Sequence, residues 1–374
     1  MIYFDNAATG GFKPSAVTDA AITVMKYLLA NPGRSGHRLS VTGAKAVENC
    51  RTVIAETFNA SPERVIFTKN CTEALNVAIF GTVKRGGHVI ATTFEHNSVL
   101  RPLTHLKNTG EISLDIVCPE NGKDIVSAIK EKIRPNTYLI AATSVSNVTG
   151  LTLPVKKIGE LCDEHGILFL CDGAQGGGHI NLDMKRDRIN LLALAGHKGL
   201  YGLMGSGVLV VGDGVEVSPL MFGGTGSESM NLDQPKDYPD RLECGTLNLP
   251  AIAALSEGVN YVKDNLNTFS EILLCYTDAM IKKLSRISGV KLFSAPNAAG
   301  IVSFSINGLP SAIVADALNC DYDVAVRGGL HCAPLTHKYL GTEEDGLVRA
   351  SLSVQNTYRE INYFTSAIER ICRR

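Results

Sequence analysis

The chain has 374 residues, of which 45% are hydrophobic and 20% are charged, as is usual for a globular protein with a large core. Its 36 basic and 37 acidic side chains leave a net charge of −1, so the composition argues against binding to nucleic acid or an anionic membrane. The first residues, 1–11, contain an acid and no long apolar run, which predicts neither a signal peptide nor an anchor. We therefore expect a cytoplasmic protein whose partners are small molecules or other proteins.

Short apolar strands alternate with amphipathic helices over the first half of the chain. Apolar spacing predicts strands over 65–67, 88–92, 112–116, 138–145, 167–171 and 191–195, and helices over 42–58, 98–108, 125–133 and 155–164. This alternation is typical of an α/β protein with a mostly parallel sheet covered by helices. Ligands of such sheets bind beyond the carboxyl ends of the strands.

The second half changes character around Asn265. An Ala-rich helix begins near Pro250, and a glycine-rich stretch at 223–229 precedes it as a loop. The following pattern predicts helices over 268–287 and 311–318, strands over 290–293, 301–306, 323–326 and 347–353, and a last helix capped by Thr357 and Glu360. We expect a large domain of residues 16–264, and a small α+β domain formed by 1–15 and 265–374.

Polar side chains follow the predicted parallel strands at their carboxyl ends. These residues are Thr72, His96, Asn147, Asp172, Gln175 and Lys198. Asn70 and Glu73 fit the N-terminal cap of a helix whose first turn holds Thr72, and a free helix end of this kind binds phosphate. Each residue alone is explained equally well by a turn or a cap. Their joint position at one sheet edge predicts a binding site.

Lys198 lies in a run of apolar residues and glycines over 191–211. A buried lysine tends to lose its proton, which makes its amine a nucleophile near neutral pH. Such an amine is what Schiff-base chemistry with a carbonyl cofactor requires. A lone lysine of this kind more often extends its amine to solvent, so the neighbouring residues decide its role.

The residues at this edge match the requirements of pyridoxal phosphate. Lys198 would form an imine with the cofactor aldehyde, and Asp172 would pair with the ring nitrogen and keep the ring an electron sink. His96 would lie on the ring face, and Thr72 would help to hold the phosphate. A dinucleotide is the rival ligand, but the sequence has no G-x-G-x-x-G after the first strand and no P-loop.

Cys332 is the one of ten cysteines that lies in a glycine-containing loop beside a histidine, His331. The cysteines form no C-x-x-C pair, so neither a disulfide framework nor a zinc pattern is expected. A neighbouring imidazole or imidazolium lowers the pKa of a thiol, and a loop leaves the sulfur mobile. The alternatives are a structural thiol and a metal site with His331 and His337, which lacks a fourth ligand.

These residues belong to motifs that span nearly the whole chain. The motifs are Tyr3-Phe-Asp-Asn-Ala-Ala-Thr, Asn70-Cys-Thr-Glu, Glu95-His-Asn, Ser144-Val-Ser-Asn-Val-Thr-Gly, Cys171-Asp-Gly-Ala-Gln, Gly196-His-Lys, Glu243-Cys-Gly-Thr, Arg327-Gly-Gly-Leu-His-Cys-Ala and Arg349-Ala-Ser. Together they resemble the group II, or SUF-type, cysteine desulfurases and selenocysteine lyases of the class V aminotransferases. The resemblance implies fold type I of the pyridoxal phosphate enzymes, a homodimer, and a protein that accepts the sulfur.

The resemblance also implies a role for each matching residue. The cofactor-binding residues would be Lys198, Asp172, Gln175, His96, Asn147, Thr72, Cys71 and His197, with Thr246 supplied to the site of the other subunit. The catalytic residues would be Lys198, His96 and Cys332, where Cys332 takes the sulfur of L-cysteine as a persulfide and alanine leaves. Arg349 would bind the substrate carboxylate, with Asn147 beside it.

Three features depart from that family. Ala195 replaces a serine that usually contacts the phosphate, Leu330 replaces a common histidine before Cys332, and the chain begins almost directly at Tyr3. The expected activity is that of a cysteine desulfurase. Selenocysteine lyase is the close alternative, since the same residues serve both. An aminotransferase or a kynureninase-like hydrolase would not need Cys332, and a non-catalytic sulfur carrier would not need Lys198.

Overall fold

The computed structural model describes residues 1–119 and 124–373. Its strands are β1 (Ile2–Tyr3), β2 (Val65–Thr68), β3 (Gly87–Thr92), β4 (Ile112–Val117), β5 (Thr137–Thr143), β6 (Leu168–Asp172), β7 (Leu191–Ala195), β8 (Gly207–Val211), β9 (Val290–Leu292), β10 (Ile301–Ile306), β11 (Val324–Ala325), β12 (Arg327–Gly329) and β13 (Leu347–Ser351). Its helices are α1 (Ser15–Tyr27), α2 (Arg38–Phe58), α3 (Cys71–Gly81), α4 (Asn97–Asn108), α5 (Ile125–Lys130), α6 (Val155–Glu164), α7 (Leu249–Leu284), α8 (Ser311–Tyr322), α9 (Pro334–Leu340) and α10 (Tyr358–Cys372).

The central sheet has seven strands in the order β2-β8-β7-β6-β5-β3-β4. Strands β4, β3, β5, β6 and β7 pair in parallel, and β8 is antiparallel to both of its neighbours. Strands β3, β5, β7 and β8 are buried along their whole length, because an apolar cluster packs on each face of the sheet. The predicted α/β architecture is therefore confirmed.

A second sheet, of order β12-β13-β10-β9, is antiparallel, and β1 pairs with β11 beside it. Phe4, which follows β1, is fully buried and packs edge-on against Phe364 of α10. The N-terminal residues thus share a core with the C-terminal ones. This packing supports the proposed small domain of 1–15 and 265–374.

The break predicted between two helices around Asn265 is wrong, because one 36-residue helix, α7, runs through both segments. No proline follows Pro250 within this segment, and the Asn265 side chain donates to the Tyr261 carbonyl on its own helix at 2.8 Å. Leu255 of α7 packs in a core of the large sheet, whereas Leu273 packs in the core of the small one. The proposed domain boundary therefore falls inside a continuous helix.

Smaller differences concern the ends of elements. Helix α5 ends at Lys130, shortly before Pro135, rather than at 133. The strand predicted over 138–145 ends at Thr143. Helix α1 has no counterpart in the prediction, since its apolar residues lie on the exposed as well as the buried side. Within the described ranges, no helix is long and apolar enough to cross a membrane.

Candidate active site

The fold brings eight of the predicted site residues to one cavity of about 100 Å³ at the carboxyl ends of the parallel strands. They are Cys71, Thr72, His96, Asn147, Asp172, Gln175, His197 and Lys198. Strand β6 ends in Asp172, a turn after β7 holds Lys198, and the first turns of α3 and α4 close the other side. Cys332, Arg349 and Thr246 lie outside this cavity lining.

The Lys198 amine forms no hydrogen bond with any residue the structure describes, and burial lowers its pKa against the opposing effects of Cys71 and Asp172. The turn that carries it is anchored to the N-terminal segment. The His197 carbonyl accepts hydrogen bonds from Gly10 N at 3.0 Å and from Lys13 Nζ at 3.1 Å. An amine with a lowered pKa on an anchored turn is suited to nucleophilic attack on an aldehyde.

The Asp172 carboxylate is buried and held on one side. Its Oδ1 accepts a hydrogen bond from Ala174 N at 2.9 Å and lies 3.7 Å from Cys71 Sγ. Its main-chain carbonyl accepts a bond from Ser144 N at 2.9 Å. Oδ2 has no hydrogen-bond partner in the described part of the chain, which leaves it available to a cationic ring nitrogen.

His96 caps helix α4, because its Nδ1 accepts a hydrogen bond from Ser98 N at 3.1 Å. Burial lowers the pKa of the imidazole. Its Nδ1 therefore acts as an acceptor, which places the proton of the neutral ring on Nε2. The Ser98 hydroxyl lies 2.9 Å from His96 Nδ1 and 2.7 Å from Thr72 Oγ1, so it links the first turns of α3 and α4.

Helix α3 begins as predicted. Asn70 caps it by accepting a hydrogen bond from Glu73 N at 2.9 Å, and Thr72 lies in the first turn. Ala195 lines the cavity without a hydroxyl, whereas Ser98 brings one into it. Ser98 is a site residue that was not predicted, although its place in the first turn of α4 beside His96 is a signal for it. A phosphate bound at the N-terminus of α3 would lie near the hydroxyls of Thr72 and Ser98.

Gln175 has one end of its amide bound and the other free. Nε2 donates to the Ala7 carbonyl at 2.9 Å, and Oε1 is buried with no partner among residues 1–119 and 124–373. A buried acceptor without a partner favours a ligand hydroxyl in the cavity. His197 Nδ1 lies 3.1 Å from Thr9 Oγ1, and burial lowers the pKa of His197 to about 4.

The loop of Cys332 docks against this site through two hydrogen bonds. Asn147 Nδ2 donates to the His331 carbonyl at 2.7 Å, and Asn97 N donates to the Cys332 carbonyl at 2.8 Å. Both His331 and Cys332 have positive φ angles, 49° and 58°, which are rare for residues other than glycine. The Asn147 amide nitrogen thus contacts this loop, a contact that the sequence did not predict.

His331 does not lie against the thiol in the way its sequence position suggested. Its ring is buried, and its Nε2 lies 3.1 Å from the Leu347 carbonyl. The cation beside Cys332 is Arg327, whose Nη2 lies 3.8 Å from the exposed sulfur. The cation beside the sulfur therefore comes from β12 and not from the position of Leu330.

Acid should destabilise the packing around His331. Burial lowers the pKa of His331 to about 2, so the unfolded chain binds a proton below about pH 6.5 that the folded chain does not. The free energy of unfolding should fall as the pH drops from about 6.5, by at most about 1.4 kcal/mol per pH unit for this group. Urea unfolding at several pH values measures the slope. The variant His331→Gln should reduce it, and an unchanged slope would contradict this assignment.

Arg349 is buried in the middle of β13, where it pairs with Arg327 of β12. Nη1 donates to the Asn147 carbonyl at 2.9 Å, and Nη2 lies 3.2 Å from Asp5 Oδ1. Nε is buried and has no partner within the described residues. The guanidinium is therefore fixed between two chain segments, and within the described residues two of its five N–H groups are in use.

Thr246 lies in a separate cavity beside Lys69 and Met221, and its hydroxyl accepts a hydrogen bond from Asn31 Nδ2 at 3.3 Å. Within one protomer, Thr246 does not line the cavity of Lys198. This position is consistent with the expectation that Thr246 serves the other subunit.

Known proteins resemble this chain over its whole length. The aminotransferase class-V family model matches residues 2–364. Probable cysteine desulfurases of Methanothermobacter thermautotrophicus and Pyrococcus abyssi are 31% and 32% identical to it, over 99% of this chain and 94% of theirs. The apo structure of a cysteine desulfurase from Thermococcus onnurineus matches with a TM-score of 0.93 and 30% identity, over 100% of this chain and 94% of that one. The expected fold type I is confirmed, and the chain belongs to the class-V aminotransferase family.

Proposed function

We propose that this protein is a pyridoxal phosphate-dependent cysteine desulfurase that converts L-cysteine to L-alanine and retains the sulfur as a persulfide on Cys332. The observation that carries the proposal is the docking of the Cys332 loop on Asn147 and Asn97, next to the cavity of Lys198. An aminotransferase has no use for this thiol. The names of the relatives support the same activity.

The cavity residues suit the cofactor. Lys198 would hold its aldehyde, Asp172 its ring nitrogen, Gln175 a ring hydroxyl through Oε1, and the first turn of α3 its phosphate. His96, with its proton on Nε2, would lie on the ring face. When bound, pyridoxal phosphate supplies an electron sink for a carbanion at the substrate Cα.

The protein residues perform the remaining steps. Arg349 binds the substrate carboxylate, and the amine of Lys198, whose pKa is lowered by burial, accepts the Cα proton. The Cys332 thiolate, beside Arg327, attacks the substrate sulfur. An S–S bond forms as the substrate Cβ–S bond breaks, and the carbon skeleton leaves as alanine after it takes up a proton at Cβ and regains one at Cα. The persulfide then passes to an acceptor protein or a reductant.

A second subunit would cover an apolar surface of this protomer. Phe222, Met230 and Leu232 are 73%, 94% and 101% exposed, and Met221 lines the same cavity as Thr246. Phe222 and Leu232 line one surface cavity, and contiguous exposed apolar side chains mark a protein contact. We therefore propose a homodimer in which Thr246 reaches the cofactor phosphate of the partner site.

The test of the proposed function is alanine release by the purified protein from L-cysteine and from L-selenocysteine, with a reductant present. Alanine from L-cysteine would support a desulfurase. Alanine from L-selenocysteine alone would favour a selenocysteine lyase, and alanine from neither substrate would contradict the proposal.

The variant Arg349→Lys should raise the KM for L-cysteine by about tenfold or more, because an ammonium cannot pair with a carboxylate through two parallel bonds. The visible band of the bound cofactor should remain. Steady-state alanine formation measures the change. The same substitution at Arg359, which is exposed on α10, is the control. An unchanged KM in Arg349→Lys would place the carboxylate elsewhere.

A further inference from the structure

Glu95 is a fully buried acid that has no part in the reaction described above. It directly precedes His96, and its side chain is shielded from solvent by the ends of the central strands. Oε1 accepts hydrogen bonds from Thr92 Oγ1 at 2.6 Å and from Thr143 N at 2.9 Å. Oε2 is buried without a partner in the described ranges. Burial of an acid is costly, so the presence of Glu95 at this position needs an explanation, and its two hydrogen bonds provide one.

The two bonds join the ends of neighbouring strands. Thr92 is the last residue of β3, and its hydroxyl also accepts a bond from Phe94 N at 3.1 Å, which closes the turn that leads to His96. Thr143 is the last residue of β5 and pairs in register with Asp172 of β6. One carboxyl group thus connects the turn that carries His96 with the strand ends that carry Asp172.

We propose that Glu95 is a positioning residue that fixes His96, on the ring face, relative to Asp172, at the ring nitrogen. The inference rests on the proposed function, because it assumes that both residues contact pyridoxal phosphate. Burial raises the pKa of Glu95 to about 8, so near neutral pH it is a protonated acid. It therefore adds no second negative charge beside Asp172. The negative charge that faces the ring nitrogen is then that of Asp172.

Three variants separate positioning from mere stability of the sheet. Glu95→Gln keeps the size, the neutral charge and an oxygen that accepts both bonds. Glu95→Leu removes the acceptor, and Thr92→Val removes one of the two donors. The readouts are the visible circular dichroism of the bound cofactor, which reports the orientation of the ring, and kcat and KM for alanine formation from L-cysteine. Far-ultraviolet circular dichroism checks that each variant is folded.

Glu95→Leu should lower kcat by about 10-fold to 100-fold and change the visible circular dichroism, because misplacement of catalytic groups by about 1 Å has effects of this size. KM should stay within about threefold, since Arg349 lies on another element. Glu95→Gln should restore both readouts, and Thr92→Val should fall between them. Thr92→Val carries the test if Glu95→Leu does not fold.

The inference is overturned if Glu95→Leu and Thr92→Val keep the wild-type kcat and visible spectrum, or if Glu95→Gln is as impaired as Glu95→Leu. A failure of the proposed function would look different. In that case the wild-type protein itself would take up no pyridoxal phosphate or would release no alanine from L-cysteine.

Discussion

Replacement of Lys198 with alanine should abolish the yellow colour of the protein and lower alanine formation by about 10³-fold or more. The amine is the only group of the cavity lining that can form a Schiff base, and the same amine moves the Cα proton. Loss of two roles in one residue gives an effect of this order. Absorbance in the visible range and alanine formation measure the two consequences separately.

Lys13 offers a matched control for this prediction. It is the other lysine near the turn, its Nζ donates to the His197 carbonyl, and it does not line the cavity. Lys13→Met should therefore keep the visible band. A Lys198→Ala protein that stays yellow after dialysis, or a Lys13→Met protein that alone loses the band, would assign the Schiff base to another residue.

Replacement of Cys332 with alanine should leave the cofactor band intact and lower alanine release from L-cysteine by about 100-fold or more. The thiol attacks the substrate sulfur but does not contact the cavity that holds the cofactor. Cys320 is the control, because it is also exposed but lies on α8 with its sulfur near Asp316. Cys320→Ala should behave as the wild-type protein.

Activity on L-cysteine and on L-selenocysteine distinguishes a cysteine desulfurase from a selenocysteine lyase. Carbon–selenium bonds break more easily than carbon–sulfur bonds, so Cys332→Ala should keep more of its activity on L-selenocysteine than on L-cysteine. Equal activity of Cys332→Ala and the wild-type protein on L-cysteine would contradict the role of this thiol. It would also favour a reaction that releases the sulfur directly.

Much of the site follows from the sequence because it depends on local structure. Residues at the carboxyl ends of parallel strands meet at one edge, so the positions after β5, β6 and β7 predicted Asn147, Asp172 and Lys198 together. The cap of α3 by Asn70 needed only residues within one turn. Both predictions rest on contacts that are short in sequence or fixed by strand order.

The remaining contacts join distant segments, and no local pattern indicates them. The bond from Asn147 to the His331 carbonyl spans 184 residues, and the bond from Arg349 to the Asn147 carbonyl spans 202. The burial of His331 could not be read from its position beside Cys332, because burial is set by how the small sheet packs on the large one. The continuity of α7 escaped prediction for the same reason, since its two halves pack in different cores.

Sulfur transfer to Cys332 is tested most sharply by the mass of the Cys332 peptide after a single turnover with L-cysteine in the absence of a reductant. We expect one added sulfur atom on this peptide, in an amount equal to the alanine formed, and no sulfur on the peptides of Cys71 or Cys320. Alanine formed with free sulfide and no sulfur on Cys332 would contradict it.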